Sequence, residues 1–212
     1  KDSLLKIYVS NDTLDLNSLG DKSVISQTHE VFNAVEKYND LIPMLHYSFK
    51  HSTDQLEDLR IIKEEMSFVK YIQLDDIKKS HLEILKYAVD NFSVVLPMTD
   101  NDINSLLENK NFVDFVISNK VPILLDNSLG KGVRETSDKY KEKILKFLNK
   151  GINNIALAGG FNPGYLDTYF EMVDYFKINL SIDAASGLQT EGKFDVDKTK
   201  RYIGNIMAKK YL

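Results

Sequence analysis

Leu157-Ala158-Gly159-Gly160-Phe161-Asn162-Pro163 is followed 25 residues later by Ile182-Asp183-Ala184-Ala185-Ser186-Gly187-Leu188. Each stretch is a short apolar run that breaks into glycine ahead of a helical pattern. Two such strand-to-loop junctions, one repeat apart, have the layout of the paired phosphate cradle of a (β/α)8 barrel. Glycine lets backbone N–H groups turn towards an anion. A helix opening on Asn162-Pro163, with asparagine as cap and proline at the first helical position, would add its positive dipole end. Gly159, Gly160, Ser186 and Gly187 are therefore the expected phosphate-binding residues. The same glycines would also suit plain tight turns, but two junctions one repeat apart favour the anion site.

Working outward, β-rich apolar runs recur along the chain. Strands are expected at residues 44–49, 69–75, 93–98, 121–126, 154–158 and 179–183, so their starts fall 24–33 residues apart. That spacing is near the roughly 30 residues of a βαβ unit, and continuous apolar runs suit strands of a parallel sheet buried on both faces. Between them lie helix signals: capping boxes at Ser52-x-x-Gln55 and Ser80-x-x-Glu83, a stop at Asn149-Lys150-Gly151, and a closing helix over 198–211. Ahead of them, residues 4–10 read as a strand and 26–38 as an amphipathic helix. No Pro/Gly/Ser-rich linker divides the chain, which gives one domain over 1–212. The expected fold is α/β, a (β/α)8 TIM-type barrel that is irregular or incomplete in its first one or two units. A doubly wound open sheet is the alternative, but the dinucleotide fingerprint after its first strand is missing.

Composition narrows the partners. Hydrophobic residues make up 43% and charged residues 27%, which excludes wholesale disorder. A net charge of −4 with interspersed signs argues against a duplex nucleic-acid binder. No apolar run approaches the roughly 18 residues of a membrane span, and no signal-peptide pattern opens the chain, so a cytoplasmic protein is expected. The absence of cysteine excludes thiol nucleophiles, thiolate metal sites and disulfides. The four histidines show no metal-ligand spacing, and His46, within a strand, reads as a satisfied core histidine. The chain begins on Lys1 rather than Met, which leads to the expectation that residues precede it.

Three acidic positions end strands. Asp126 closes the apolar run 121–125 and would sit at the catalytic face of a barrel, which suits a general acid. A loop cap is the competing role for an aspartate there. Asp75 ends the run 69–74 and could be a second carboxylate in the mouth, whereas Asp183 reads as structural. Lys22 could meet an acidic substrate.

The motifs Ile123-Leu124-Leu125-Asp126-Asn127-Ser128, Leu157-Ala158-Gly159-Gly160-Phe161-Asn162-Pro163 and Ile182-Asp183-Ala184-Ala185-Ser186-Gly187-Leu188-Gln189, followed by Gly192-Lys193 and Asp195, resemble phosphoribosylanthranilate isomerase. In that family the patterns run LLDS, LAGGLNP and DVSSGVE followed by GxKD. Tyr71-Ile72-Gln73-Leu74-Asp75 likewise resembles the family's VQLHG at strand four. The resemblance implies a cofactor-free barrel of tryptophan biosynthesis, monomeric or homodimeric. It also implies an Amadori rearrangement of a phosphorylated sugar derivative, with Asp126 as the acid that opens the ribose ring. Gly159, Gly160, Ser186 and Gly187 would hold the phosphate.

The chain departs from the family at its base. There the general base is a cysteine in a KICG motif on strand one. Lys6-Ile7-Tyr8-Val9 would place Tyr8 at that cysteine if 4–10 is strand one. If 4–10 is instead strand two, residues 22–26 (KSVIS) match the basic segment ahead of helix two, and Lys22 becomes a substrate contact. The family's strand-four histidine is Asp75 here, and the loop after strand six has become Leu129-Gly130-Lys131-Gly132. The sister isomerase of histidine biosynthesis works with two aspartates, which makes Asp75 the replacement base. The lost cysteine also allows an alternative: a non-catalytic barrel that binds a phosphorylated ligand for sensing or assembly.

Overall fold

A computed structural model describes residues 7–10, 22–36, 41–49, 53–127, 133–191 and 193–210. The chain divides into two compact units, Lys1–Pro97 and Met98–Leu212.

The first unit runs β1 (Ile7–Ser10), α1 (Lys22–Glu36), β2 (Leu41–Ser48), α2 (Gln55–Glu65), β3 (Tyr71–Asp75), α3 (Leu82–Asn91) and β4 (Ser93–Met98), whose last residue opens the second unit. The strands pair in chain order and all are parallel, with Ile7 beside Leu41, Leu45 beside Ile72 and Tyr71 beside Ser93. Leu45, Leu59, Ile62, Ile72, Leu74 and Leu85 are fully buried and form the core of this unit. Burying each such side chain stabilises by roughly 1.5–3 kcal/mol.

β3 and β4 depart from the expected continuous burial. In β3, Ile72 and Leu74 are buried while Tyr71, Gln73 and Asp75 are only half-buried. Alternate side chains point to opposite faces of a strand, so one face carries the core and the other a polar row.

The predicted caps also shift. Helix α2 is capped by Asp54, whose carboxylate accepts from Glu57 N at 3.1 Å, and Gln55 is its first residue. Ser52 lies outside the described residues. A carboxylate immediately ahead of the helix is the stronger acceptor for its free N–H groups. Ser80 falls inside a 3₁₀ turn, Lys79–His81, where His81 Nδ1 accepts from Lys78 N at 3.1 Å.

The second unit runs α4 (Asp100–Leu107), α5 (Lys110–Ser118), β5 (Ile123–Leu125), α6 (Ser137–Leu148), β6 (Ile155–Leu157), α7 (Asp167–Phe176), β7 (Leu180–Ile182), a small antiparallel hairpin of β8 (Gln189–Thr190) and β9 (Lys193–Phe194), and α8 (Val196–Lys210). Strands β5, β6 and β7 pair in parallel, with Ile123 beside Ile155 and Ile155 beside Leu180. Neither unit shows the reversal of strand order that marks a doubly wound sheet. Helix α6 ends as expected: Asn149 caps it and Gly151 takes φ +84°.

The helix expected from Asn162-Pro163 begins later. Asn162 Oδ1 accepts from Gly164 N at 2.9 Å and its carbonyl accepts from Tyr165 N at 2.9 Å. Those bonds close a turn over 162–165, which suits asparagine followed by proline. Helix α7 starts only at Asp167.

Candidate functional site

The two glycine junctions meet. Gly159 and Gly160 follow β6 with φ +131° and +66°, backbone that L side chains rarely adopt. A Cβ on Gly159 would lie 2.6 Å from the Tyr140 hydroxyl and 3.1 Å from the Val133 carbonyl. Gly187, in the 3₁₀ turn Ser186–Leu188 after β7, stands against the first junction. A Cβ there would fall 1.8 Å from the Phe161 carbonyl oxygen. Packing alone therefore requires glycine at 159 and 187. The anion site expected from the sequence would need a separate feature, free backbone donors. Among the described residues, no acceptor meets the backbone N–H of Gly159, Gly160, Ser186 or Gly187. The expected helix dipole is no part of this, because α7 begins at Asp167 and carries that carboxylate in its first turn.

Under the junctions lies an aromatic floor. Tyr140, fully buried on α6, donates its hydroxyl to the Ala158 carbonyl. Phe161 stacks between Tyr140 (centroids 6.0 Å) and Tyr165 (5.5 Å). Burial raises the Tyr140 pKa, and the negative charges of Glu135 and Asp126 push it further. The acid after β5 is thus felt electrostatically by the tyrosine that holds the loop after β6.

Asp126 directly follows β5, and its N–H donates to the Met98 carbonyl at 3.1 Å. Its neighbour Asn127 belongs to a polar network that the sequence analysis did not anticipate. Asn127 Nδ2 donates to Glu135 Oε1 at 2.7 Å and to Asp100, while Asn127 Oδ1 accepts from Asp100 N at 2.8 Å. Lys143 bridges both carboxylates, 2.5 Å from Glu135 and 2.7 Å from Asp100. Lys143 and Glu135 expose only 8% and 7% of their side chains, so each neutralises a charge the other could not leave buried alone. Burial opposes the Asp100 charge, but hydrogen bonds from Lys143 and Asn127 outweigh it and hold its pKa below the ordinary value. The Glu135 carbonyl also accepts from the Tyr165 hydroxyl at 2.7 Å, tying this segment to the aromatic floor. One signal was available: Lys143 falls in the buried stripe Tyr140, Lys143, Ile144, Phe147 of α6, where a lysine needs a partner.

In the first unit, Asp75 does not stand alone. His46 Nε2 is in direct contact with Asp75 Oδ2. Gln73 Nε2 donates to Asp75 Oδ1 at 3.3 Å and lies 3.1 Å from the same imidazole nitrogen. Beside them, Ser48 donates to Asp76 at 2.6 Å, and Asp76 takes φ +61°. His46 is thus no core histidine: a quarter of its side chain is exposed and it is paired with a carboxylate.

Lys22 is the first residue of α1 rather than part of a loop, and its side chain lies outside the described residues. Residues 128–132, with Lys131, are also outside them, as are the side chain of Tyr8 and all of His51. Asp183 is exposed, and its N–H donates to the Leu157 carbonyl at 2.8 Å, extending the ladder from β7 to β6. Among the described residues, no three His, Asp or Glu converge as metal ligands, and no helix is long and apolar enough to cross a membrane.

No family model matches the chain, and no curated protein sequence matches it. Solved structures do. The phosphoribosyl anthranilate isomerase of Thermus thermophilus is similar with a TM-score of 0.59 at 15% identity, over 96% of this chain and 98% of that one. A monomeric form of the dimeric phosphoribosylanthranilate isomerase of Thermotoga maritima gives 0.55 at 14% identity, over 96% and 99%. The fold is the TIM-type α/β barrel fold. An enoyl reductase domain from the macrolactin cluster of Bacillus amyloliquefaciens is more distant, at 0.50 and 8% identity over 83% of this chain and 52% of that one. At these identities the similarity is one of fold.

Proposed function

We propose that this chain is a cytoplasmic aldose–ketose isomerase of the phosphoribosylanthranilate isomerase kind, acting on a phosphoribosyl amine of tryptophan biosynthesis or a related phosphosugar. The observation that carries the reading is the pair of abutting glycine junctions with four unclaimed amides, beside a β5-terminal aspartate whose charge reaches Tyr140. The amides of Gly159, Gly160, Ser186 and Gly187 bind the phosphate, and Lys22 contributes a cation to the substrate. Asp126 is the general acid and gives a proton to the ring oxygen. The bond from the anomeric carbon to that oxygen breaks with its electrons on oxygen, and the nitrogen lone pair forms an iminium. Removal of the proton from the adjacent carbon then yields the enaminol, which ketonises. That second proton transfer is assigned to Asp75 or to a group that Asp75 orients.

The test is turnover of phosphoribosyl anthranilate by the full chain. Asp126→Asn should lower kcat by about 10²–10⁴-fold, the usual range for losing a general acid. Unchanged activity in that variant sinks the assignment. The absence of cysteine favours a second reading, a non-catalytic barrel that binds a phosphorylated ligand for sensing or assembly. Thermal stabilisation by a phosphosugar with no ketose formed would support it, and measurable ketose would exclude it.

A further inference from the structure

Each of α5, α6 and α7 in the second unit is followed by a residue in the left-handed region: Lys120 (φ +52°), Gly151 (φ +84°) and Lys177 (φ +53°). Glycine takes this backbone at least cost and is the usual residue at a helix end. Lysine stands there twice. All three residues line one cavity of about 680 Å³, within the range of small-molecule sites, roughly 300–1,000 Å³. It lies at the N-terminal ends of β5, β6 and β7, the ends opposite the glycine junctions.

Hydrogen bonds fix the loops that shape this cavity. Val121 N donates to the Val116 carbonyl and Ile152 N to the Phe147 carbonyl, both at 3.0 Å, which satisfies carbonyls that a helix end leaves without a partner. Asn154 Nδ2 donates to the Lys120 carbonyl at 2.9 Å, and the Asn154 carbonyl accepts from Ile123 N at 2.9 Å, joining the loop before β5 to the loop before β6. Val116, Val121 and Ile152 are buried in the lining, while Ile117 is an apolar side chain left 41% exposed there. Lys120, Lys177, Asn153 and Asn179 are exposed. Among the described residues, the lining has no aromatic ring and no Asp or Glu, and neither lysine is paired with a carboxylate.

We propose that this cavity binds a small amphiphilic anion, with a short aliphatic body against Val116, Ile117, Val121 and Ile152 and a carboxylate or phosphate head met by Lys120 and Lys177. The aliphatic lining selects the body, because burial of apolar area is non-directional and asks only for a chain that fills the space. The charge of the head follows from two cations that no carboxylate of the lining neutralises, assisted by the amide donors of Asn153 and Asn179. Lysine after a helix also suits the negative end of the helix dipole. That role predicts a change in stability when the lysine is removed and no dependence on a ligand, so the two effects are separable. The site takes part in no reaction, and it stands or falls independently of the isomerase reading.

The test titrates butanoate, hexanoate and octanoate into the isotope-labelled full chain and follows its backbone amide resonances. Saturable shifts should centre on Lys120, Gly151 and Lys177, with affinity rising about fourfold for each added methylene. Octanol, which lacks the charge, should bind about 10-fold more weakly than octanoate. Octyl phosphate tells a phosphate head from a carboxylate one, and binding of neither anion overturns the proposal. The double variant Lys120→Gly/Lys177→Gly removes both cations and supplies the residue that this backbone favours, so the fold is kept. Its Kd for the anion that binds should rise about 10-fold, while its thermal unfolding reports the dipole contribution separately. An unchanged Kd in that variant, equal binding of octanol and octanoate, or shifts confined to other amides overturns the proposal. Shifts of the same amides on raising the protein concentration alone would give the cavity to a second copy of the chain, and would overturn it as well.

Discussion

Gly187 stands so close to Phe161 that a Cβ on it would lie 1.8 Å from the Phe161 carbonyl oxygen and 2.8 Å from the carbonyl carbon. The loop after β7 is thereby seated on the loop after β6, and the spacing of their amides is set by backbone contact rather than by side chains. Gly187→Ala must push the two loops apart. Overpacking of this kind costs roughly 1–3 kcal/mol, and inorganic phosphate should lose its stabilising effect on thermal unfolding. Gly204, inside α8 with nothing within 4 Å of its would-be Cβ, is the contrast. Gly204→Ala should gain about 0.5–1 kcal/mol from helix propensity. Equal effects of the two substitutions in urea unfolding would refute the packing argument.

Lys143→Met removes the cation from a pair whose members expose 8% and 7% of their side chains. Leaving Glu135 buried and uncompensated should cost about 3–5 kcal/mol. The double variant Lys143→Met/Glu135→Leu should recover most of that, because the buried charge goes with its partner. Urea unfolding of the three chains gives the cycle. A double variant no better than the single would show that the network holds the fold through Asp100 and Asn127 instead.

At low pH the relevant group is Asp100. Its pKa is depressed in the folded state, burial being outweighed by the bonds from Lys143 and Asn127. A depressed carboxyl contributes stability that is present above its unfolded value, about 3.9, and that is lost as pH falls through the folded value. Unfolding free energy should therefore drop below about pH 4, and less steeply in Asp100→Asn. Identical acid limbs in the two proteins would remove Asp100 from the account.

Among the described residues, the buried hydroxyl of Tyr202 on α8 meets no hydrogen-bond partner, and burial followed by the nearby Asp183 charge raises its pKa. Tyr202→Phe deletes an unsatisfied polar atom without leaving a cavity, so stability should rise by about 1 kcal/mol. A raised phenol contributes stability below its unfolded value near 10 and loses it as pH climbs towards the folded value. The variant should thus hold its fold further into alkali, measured by the pH midpoint of unfolding. A destabilised Tyr202→Phe would mean that the hydroxyl has a partner after all.

Much of this was legible in the chain. Strand positions followed from apolar runs, and the C-terminal stop of α6 followed from Asn149-Lys150-Gly151, because both signals act over a few residues. Helix starts were less legible. Ser52, Ser80 and Asn162 each had the right residue type, yet Asp54, the 3₁₀ turn at Lys79–His81 and the turn over 162–165 competed for the same N–H groups and won. The glycine positions were readable; the reason two of them must be glycine was not, since Tyr140 and Phe161 approach them only in the folded chain.

The sequence by itself determined an alternating α/β chain, with glycine after two neighbouring strands and an aspartate ending a third. These are local properties of hydrophobic period and backbone freedom. Tertiary structure alone decided the pairings: His46 with Asp75 across 29 positions, Asn127 with Asp100 across 27, and Glu135 with the buried Lys143. Strand register and helix packing choose such partners, and a charge or imidazole acquires its role from the group those contacts place beside it.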